Sequence, residues 1–360
     1  MTSSPNNPSS GSADVAVRAG IDPTTPAQGV WTLRPERITP ETELAAAGRL
    51  VSVAEGDREV AARRLLAAAP RHGIDFSMAW GTFDLPRENR GVIRCRQVCL
   101  TVAGSGRTAM IFLSGPLPGG DPGGPAAGLQ ERVACLTASV GSMRAVVCEN
   151  GSRRVDIFQA LPDPSEDWSV RACREAGFVQ VGLLRYMRVV VPAARVPIPD
   201  PRDRWPAGIE VVSVASIPRT RRDGVLLEAL EATYERTLDC PELCGMRRTS
   251  DILESHLQTG VHDPGIWWVV FDGGCPRGTM LLSRCPEQKS IELVYLGLSP
   301  DLRGRGIARR LMGLAFRAVS SSRFRAMTCA VDERNVPAVA LYESCGFEGV
   351  SQRVALVLPA

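Results

Sequence analysis

Lysine is nearly missing from this chain of 360 residues: Lys289 is the only one, and every other basic side chain is arginine or histidine. A Schiff-base lysine mechanism is thereby almost excluded, and the bias itself reads as coding preference. Histidine is scarce too, at His72, His256 and His262, which gives little support to a histidine-based nucleophile. Long apolar runs are absent. Stretches such as 189–194 and 266–271 fall far short of the ~20 residues that cross a bilayer, so no membrane association is expected. A net charge of +3 is close to balance, without the concentrated basic stripe of a nucleic-acid binder. Residues 1–30 are rich in Ser, Pro, Asn and Gly and lack the basic start and apolar core of a secretory signal. They read as a disordered leader on a cytoplasmic protein.

Cysteine is not scarce, but its eleven copies are an odd number scattered through apolar patterns, which argues against a secreted disulfide framework. Cys240 and Cys244 form the one close pair. A zinc site would need two more ligands at a recognisable spacing, and His256 and His262 qualify only by nearness in sequence, so no metal is expected.

The length suits about two domains of ordinary size. In the first half, helices are predicted over 39–53 and 57–69. Extended runs follow at 92–103 and 107–114 around Gly104-Ser105-Gly106, then a Pro/Gly-rich segment at 115–128. A helix over 129–139, a strand at 145–148, a helix at 167–176 and a strand at 180–191 complete it. Five prolines in 192–208 mark a linker. The second half opens with a strand at 209–214 and helices at 223–237 and 250–258, the latter with Ser250 or Asp251 as cap. A hairpin follows, 266–271 with 279–284, around Asp272-Gly273-Gly274. A strand at 291–298, a helix from near Gly306, a strand at 326–331, a helix containing Tyr342 and a strand at 349–358 finish the chain. The two halves repeat one order of elements, which predicts an α/β (α+β) fold in two tandem copies.

Arg303-Gly304-Arg305-Gly306-Ile307-Ala308 lies between strand 291–298 and the following helix. Glycines there let the backbone approach a ligand closely, and unpaired N–H groups at a helix start converge on an anion, so the stretch suits a pyrophosphate. Arg303, Arg305 and Arg309 add positive charge; an ordinary exposed loop is the alternative. Downstream, Asn335-Val-Pro-Ala-Val-Ala-Leu-Tyr-Glu-Ser-Cys-Gly-Phe347 reads as a capped helix running into a strand.

Together these stretches resemble the GNAT superfamily of acyl-CoA-dependent N-acyltransferases. Arg303, Gly306 and Ala308 match its Arg/Gln-x-x-Gly-x-Gly/Ala signature, and Asn335, Leu341, Tyr342, Gly346 and Phe347 match the later part. The likeness covers roughly 207–360, with its specific motifs within 291–347. It implies a mixed, mostly antiparallel sheet flanked by helices, and acetyl-CoA as co-substrate without a metal. The cofactor would lie along Leu296, Gly297 and Leu298, pairing with open backbone, and on Arg303, Gly304, Arg305, Gly306, Ile307, Ala308 and Arg309, with Asn335 touching its arm as well as capping a helix. Glu292 aligns with the strand glutamate that is general base in the superfamily's histone acetyltransferases. Burial among apolar neighbours would raise its pKa; a solvent-facing position is the other reading. The site at which ribosomal-protein acetyltransferases carry their glutamate is here Ala330, with Asp332 and Glu333 nearby. Tyr342 matches the tyrosine that hydrogen-bonds the departing thiolate, and otherwise is core.

The resemblance implies direct attack by a primary amine of a small molecule or peptide on the thioester. A non-catalytic CoA-binding or protein-interaction module is the alternative, which would keep the cradle and dispense with Glu292 and Tyr342. The tandem arrangement resembles that of the mycothiol synthases. In the first half, prolines in 115–128 remove N–H donors and the signature is lost. Aligning Gly177-Phe178 with Gly346-Phe347 puts Cys173 in the place of Tyr342. Residues 31–191 therefore read as a degenerate copy, 192–208 as linker, and 209–360 as the acetyltransferase domain.

Overall fold

Ten elements occur twice in the same order. The computed structural model describes residues 34–84, 93–191 and 205–360; the expected leader at 1–30 and most of the 192–208 segment lie outside them. The first series is β1 (Glu36–Arg37), α1 (Glu43–Leu50), α2 (Arg58–Ala68), β2 (Trp80–Asp84), β3 (Arg94–Ala103), β4 (Thr108–Leu113), α3 (Gly124–Arg144), β5 (Ile157–Ala160), α4 (Asp167–Glu175) and β6 (Val179–Val190). The second is β7 (Ile209–Ser213), α5 (Arg219–Tyr234), α6 (Thr249–Gln258), β8 (Trp267–Asp272), β9 (Cys275–Cys285), β10 (Ser290–Leu298), α7 (Ile307–Ser320), β11 (Ala326–Asp332), α8 (Val336–Ser344) and β12 (Glu348–Pro359).

In each series the early strands pair antiparallel as a meander. The fourth and fifth pair parallel, β4 with β5 and β10 with β11, because a helix, α3 or α7, carries the chain across between them. All strands belong to one twelve-stranded sheet in the order β1-β2-β3-β4-β5-β12-β6-β11-β10-β9-β8-β7. The final strands are thus exchanged. β12 lies against β5 of the first series, Leu356 opposite Ala160, and β6 lies against β11 of the second, Met187 opposite Cys329.

Packing follows the exchange. Val354 and Leu356 of β12 are buried in the first-half core around Phe158, Leu136 and Cys173. Met187 and Val189 of β6 are buried in the second-half core with Ile291, Leu293 and Leu311. Burying such side chains stabilises each half by about 1.5–3 kcal/mol per large apolar residue.

Three local expectations are corrected. Residues 145–148 form no strand: α3 runs to Arg144, leaving only an isolated bridge between Val147 and Arg153, and the strand parallel to β4 is instead β5, with Ile157 and Phe158 fully buried. Helix α3 also begins at Gly124 rather than 129, since Pro125 in its first turn needs no N–H partner there. Helix α6 begins at Thr249 after Arg248 with no side-chain cap, so Ser250 and Asp251 are first-turn residues. Among the described residues no helix is long and apolar enough to cross a membrane.

Candidate active site

β10 and β11 pair only from Ile291 with Met327 to Leu293 with Cys329, and then separate. At the parting a β-bulge inserts Val294: Leu293 faces Leu282 of β9, and the next pair is Tyr295 with Leu281. Beyond it β10 stays paired with β9 alone, leaving its other edge open. Ser299 donates to the carbonyl of Arg277, so by the alternation of an antiparallel ladder the backbone groups of Leu298 and Leu296 turn away from β9 towards that open edge, while those of Gly297 face β9. Leu296 therefore offers both donor and acceptor. The carbonyl of Leu298 is already taken by Arg303 Nε at 3.0 Å, leaving that residue its N–H.

The loop after β10 delivers the chain to α7. Gly304 and Gly306 both have φ of +74°, where a side chain is strained, and a Cβ on either would meet nothing within 4 Å. Above these two residues the space is open. Gly306 precedes the first turn of α7 and no side chain caps it, so the turn directs its N–H groups, and the positive end of the helix dipole, at that space. One face of α7 (Ile307, Leu311, Ala315, Phe316) is buried in the core and holds this end fixed.

The arginines do not all converge as charges on this space. Arg303 folds back, donating to the carbonyls of Thr233, Glu235 and Arg236 as well as Leu298; it clamps the end of α5 to β10, and only its backbone belongs to the cradle. Arg305 lies 3.8 Å from Asp272, and Arg309 donates to Ser344 Oγ at 2.8 Å, tying the start of α7 to the end of α8.

Glu292 stands one residue before the end of the β10–β11 pairing. Burial raises its pKa above the usual carboxylate range, offset in part by a hydrogen bond from the Cys285 thiol at 3.6 Å. Tyr342, 6 % exposed, packs against Phe347 with ring centroids 5.6 Å apart. Burial pushes its phenol well above its ordinary value, so it stays protonated and is a hydrogen-bond donor. Glu292 acts electrostatically on Cys329, the last residue of β11 paired to β10, and Cys329 in turn acts on Tyr342, so both stand near the fork. Asn335 caps α8, its Oδ1 accepting from the Ala338 N–H at 3.4 Å.

Of the two other acids near the fork, Asp332 is fully buried and held by Arg334 at 2.7 Å and by the N–H of Cys240. Those bonds outweigh burial and keep its pKa low, which makes it a poor base. Glu333 is exposed. Asp239 was not singled out from sequence. It accepts from the N–H of Asp332 at 2.8 Å, its charge acts on Tyr342 and Tyr295, and its pKa is raised by burial. Its place in the irregular stretch between α5 and α6 carries no sequence signal.

The equivalent loop of the first half is filled from within. Asp121 stands just before α3 and accepts from Gln97 Nε2 at 2.9 Å, the N–H of Leu117 at 3.0 Å and Arg132 at 3.0 Å. A carboxylate occupies there what an incoming anion would need. Cys173 is fully buried in α4, and the N–H of Phe178 bonds its carbonyl as that of Phe347 bonds Tyr342. Among the described residues no three His, Cys, Asp or Glu side chains are grouped to hold a metal. A hollow of about 430 Å³ beside Val261, Arg284 and Phe324 lies at the opposite end of β10 from the cradle.

Residues 229–347 match the acetyltransferase (GNAT) family. A mycothiol acetyltransferase from Beutenbergia cavernae is 31 % identical over 100 residues, which are 27 % of this chain and 33 % of that protein, so the match spans about a third of the curated relative. The crystal structure of a GCN5-related N-acetyltransferase from Sphaerobacter thermophilus superposes with a TM-score of 0.54 at 18 % identity, over 93 % of this chain and 97 % of that one. A GCN5-related glucosamine N-acetyltransferase region of a fungal multi-domain GH3 β-N-acetylglucosaminidase gives 0.53 at 12 % identity, over 94 % of this chain and 39 % of that one. The fold is GNAT-like, a mixed, mostly antiparallel sheet flanked by helices, and the family match falls within its second half.

Proposed function

We propose that this chain is an N-acyltransferase that moves an acetyl group from acetyl-CoA to a primary amine of a small molecule or peptide by direct attack. The observation that carries the reading is the fork: an open edge at Leu296 leads to an uncapped, glycine-lined helix start, with a half-buried carboxylate and a buried phenol gathered at its apex. The residues fit the co-substrate, since the space above Gly304 and Gly306 is free and the edge beside β10 has unpaired backbone groups. Acetyl-CoA supplies an acyl group activated as a thioester.

Glu292, with its raised pKa, removes a proton from the attacking amine, directly or through water. Tyr342 donates a hydrogen bond to the sulfur as charge develops there. Full proton transfer is disfavoured, because an ordinary phenol is already a weaker acid than a thiol by about 2 kcal/mol and burial widens the gap. Holding both substrates in one cleft supplies much of the acceleration. In this reading 31–191 is a second copy of the fold that has lost the chemistry, Asp121 closing its anion loop, and it shapes the acceptor side.

Calorimetry with acetyl-CoA, followed by a free-thiol assay over a broad amine panel, tests the proposal. One acetyl-CoA per chain and thiol release with at least one amine are expected. No binding at millimolar ligand would sink it, and binding without transfer to any amine would leave a non-catalytic CoA-binding module.

A further inference from the structure

Tyr234 Oη, Arg247 Nε and His256 Nε2 are buried and lack a hydrogen-bond partner among the described residues. Two of them flank one side chain, and the third acts on both. The ring of Tyr295 lies 6.0 Å from that of Tyr234 and 5.5 Å from that of His256, and Arg247 acts electrostatically on both Tyr234 and His256. Tyr295 shares a face of the sheet with Glu292, because the bulge at Val294 sets the two opposite Leu281 and Ser283, two residues apart on β9. The cluster is therefore on the side of β10 to which Glu292 points. Each of its members is partly exposed, so the group reaches the surface while its unpaired atoms lie beneath it.

The guanidinium sets the chemistry. The two buried arginines among the described residues each have a carboxylate, Arg96 with Glu131 at 2.7 Å and Arg132 with Asp121 at 3.0 Å, whereas the half-buried Arg49 and the more exposed Arg303 are served by backbone carbonyls. Among the described residues Arg247 has none within 4.0 Å. Its Nη2 donates to the carbonyls of Gly106 and Asp251 and to Ser255 Oγ, and its Nε–H is left over. The carboxylates of Asp251 and Glu254 act on its charge from further off, but neither touches this half-buried guanidinium, so an anion arriving there would gain from the pairing. The neighbours suit an anion as well, since burial keeps the Tyr234 phenol protonated, and burial together with Arg247 keeps the imidazole neutral, so that both can donate. The first half holds the arginine in place. Gly106, at the tip of the β3–β4 hairpin with φ of +62°, sits so close on α6 that a Cβ would strike the Asp251 carbonyl and Ser255, and the carbonyl of Ser105 accepts from Ser255 Oγ at 3.0 Å.

We propose that Arg247, Tyr234 and His256 form the anion subsite of the acceptor, so that the amine acetylated here also carries an oxyanion, a carboxylate or a phosphate. This rests on the acyltransferase reading. It gives the first half a function, that of a brace for the acceptor subsite.

The test uses acceptor pairs that differ in the anion: glycylglycine against glycylglycinamide, and glucosamine 6-phosphate against glucosamine. The anionic member of at least one pair should be favoured by tenfold or more in kcat/KM, mainly through KM, and which pair responds separates carboxylate from phosphate. Arg247→Gln should abolish the preference and Arg247→Lys retain part of it, both keeping wild-type affinity for acetyl-CoA by calorimetry. A readout independent of turnover is the His256 imidazole signal in NMR, simple to assign among three histidines, which should move on titration with acetate or inorganic phosphate and not with the amines that lack an anion. Equal use of both members of each pair, a preference that survives Arg247→Gln, or a His256 signal unmoved by either anion overturns the subsite. Absence of acetyl-CoA binding would instead overturn the acyltransferase reading.

Discussion

Glu292 and Tyr342 are proposed to act on different bonds, the one on the incoming amine and the other on the outgoing sulfur, so their removal should leave different marks. Glu292→Gln should lower kcat/KM by about 10²-fold, with partial recovery at high pH where the amine is already neutral. In the wild type, the rate should fall as pH drops through a value above the usual carboxylate pKa of 4.5, since protonation there silences the base. A wild-type pH profile in the variant would pass the role to Asp239 or to water alone. Tyr342→Phe should lower kcat with little change in acetyl-CoA affinity and no recovery at high pH; a fully active variant would reduce the tyrosine to packing. His256 bears on stability. Its pKa falls from 6.5 to about 4 because burial, helped by Arg247, favours the neutral ring. Between those values the unfolded chain binds a proton that the folded chain does not, so stability present at pH 7 is lost as pH falls through that window, by about 3 kcal/mol from this group. Urea unfolding at several pH values should show His256→Gln with a shallower decline than wild type, and parallel declines would contradict the burial.

Among elements, the start of α7 was the most legible part of the chain. Glycines at 304 and 306, each at positive φ, ahead of an apolar helical face make a pattern that local sequence contains entirely, and the same holds for Asn335 capping α8. Gly306→Val should weaken acetyl-CoA binding more than roughly tenfold in a folded protein, because a β-branched residue is strained at φ of +74° and fills the space over the helix start. Calorimetry on the variant decides this, and normal affinity would move the phosphate site elsewhere. What local sequence did not contain is where long side chains go. Arg303 reads as a phosphate ligand until the structure supplies three carbonyls at the end of α5, some seventy positions away, that take its donors. Strand β5 was missed for a related reason: four residues are too few for a period to show, whereas Ala145 to Cys148 was apolar enough to mislead.

At the scale of the whole molecule, the repeated order of elements could be read from sequence, but the exchange of β6 and β12 could not. Both strands carry apolar residues suited to either partner, and nothing in such a pattern names which neighbour it will join. The exchange means that neither half has a complete sheet of its own. Residues 205–360 expressed alone should therefore be insoluble or poorly ordered, with the edge of β11 and the face of β12 uncovered, and co-expression with the first half should restore a soluble complex that binds acetyl-CoA. A soluble fragment with wild-type affinity would show that β6 is dispensable.

The same exchange governs the order of events during synthesis. β5 leaves the ribosome about 200 residues before β12, the strand that must lie beside it, so the first half has to wait, with one sheet edge unmatched, until the last strand of the second half has emerged. Closure of such a distant pairing is slow, and the late arrival of β12 makes the final step of folding a single event that commits both halves at once.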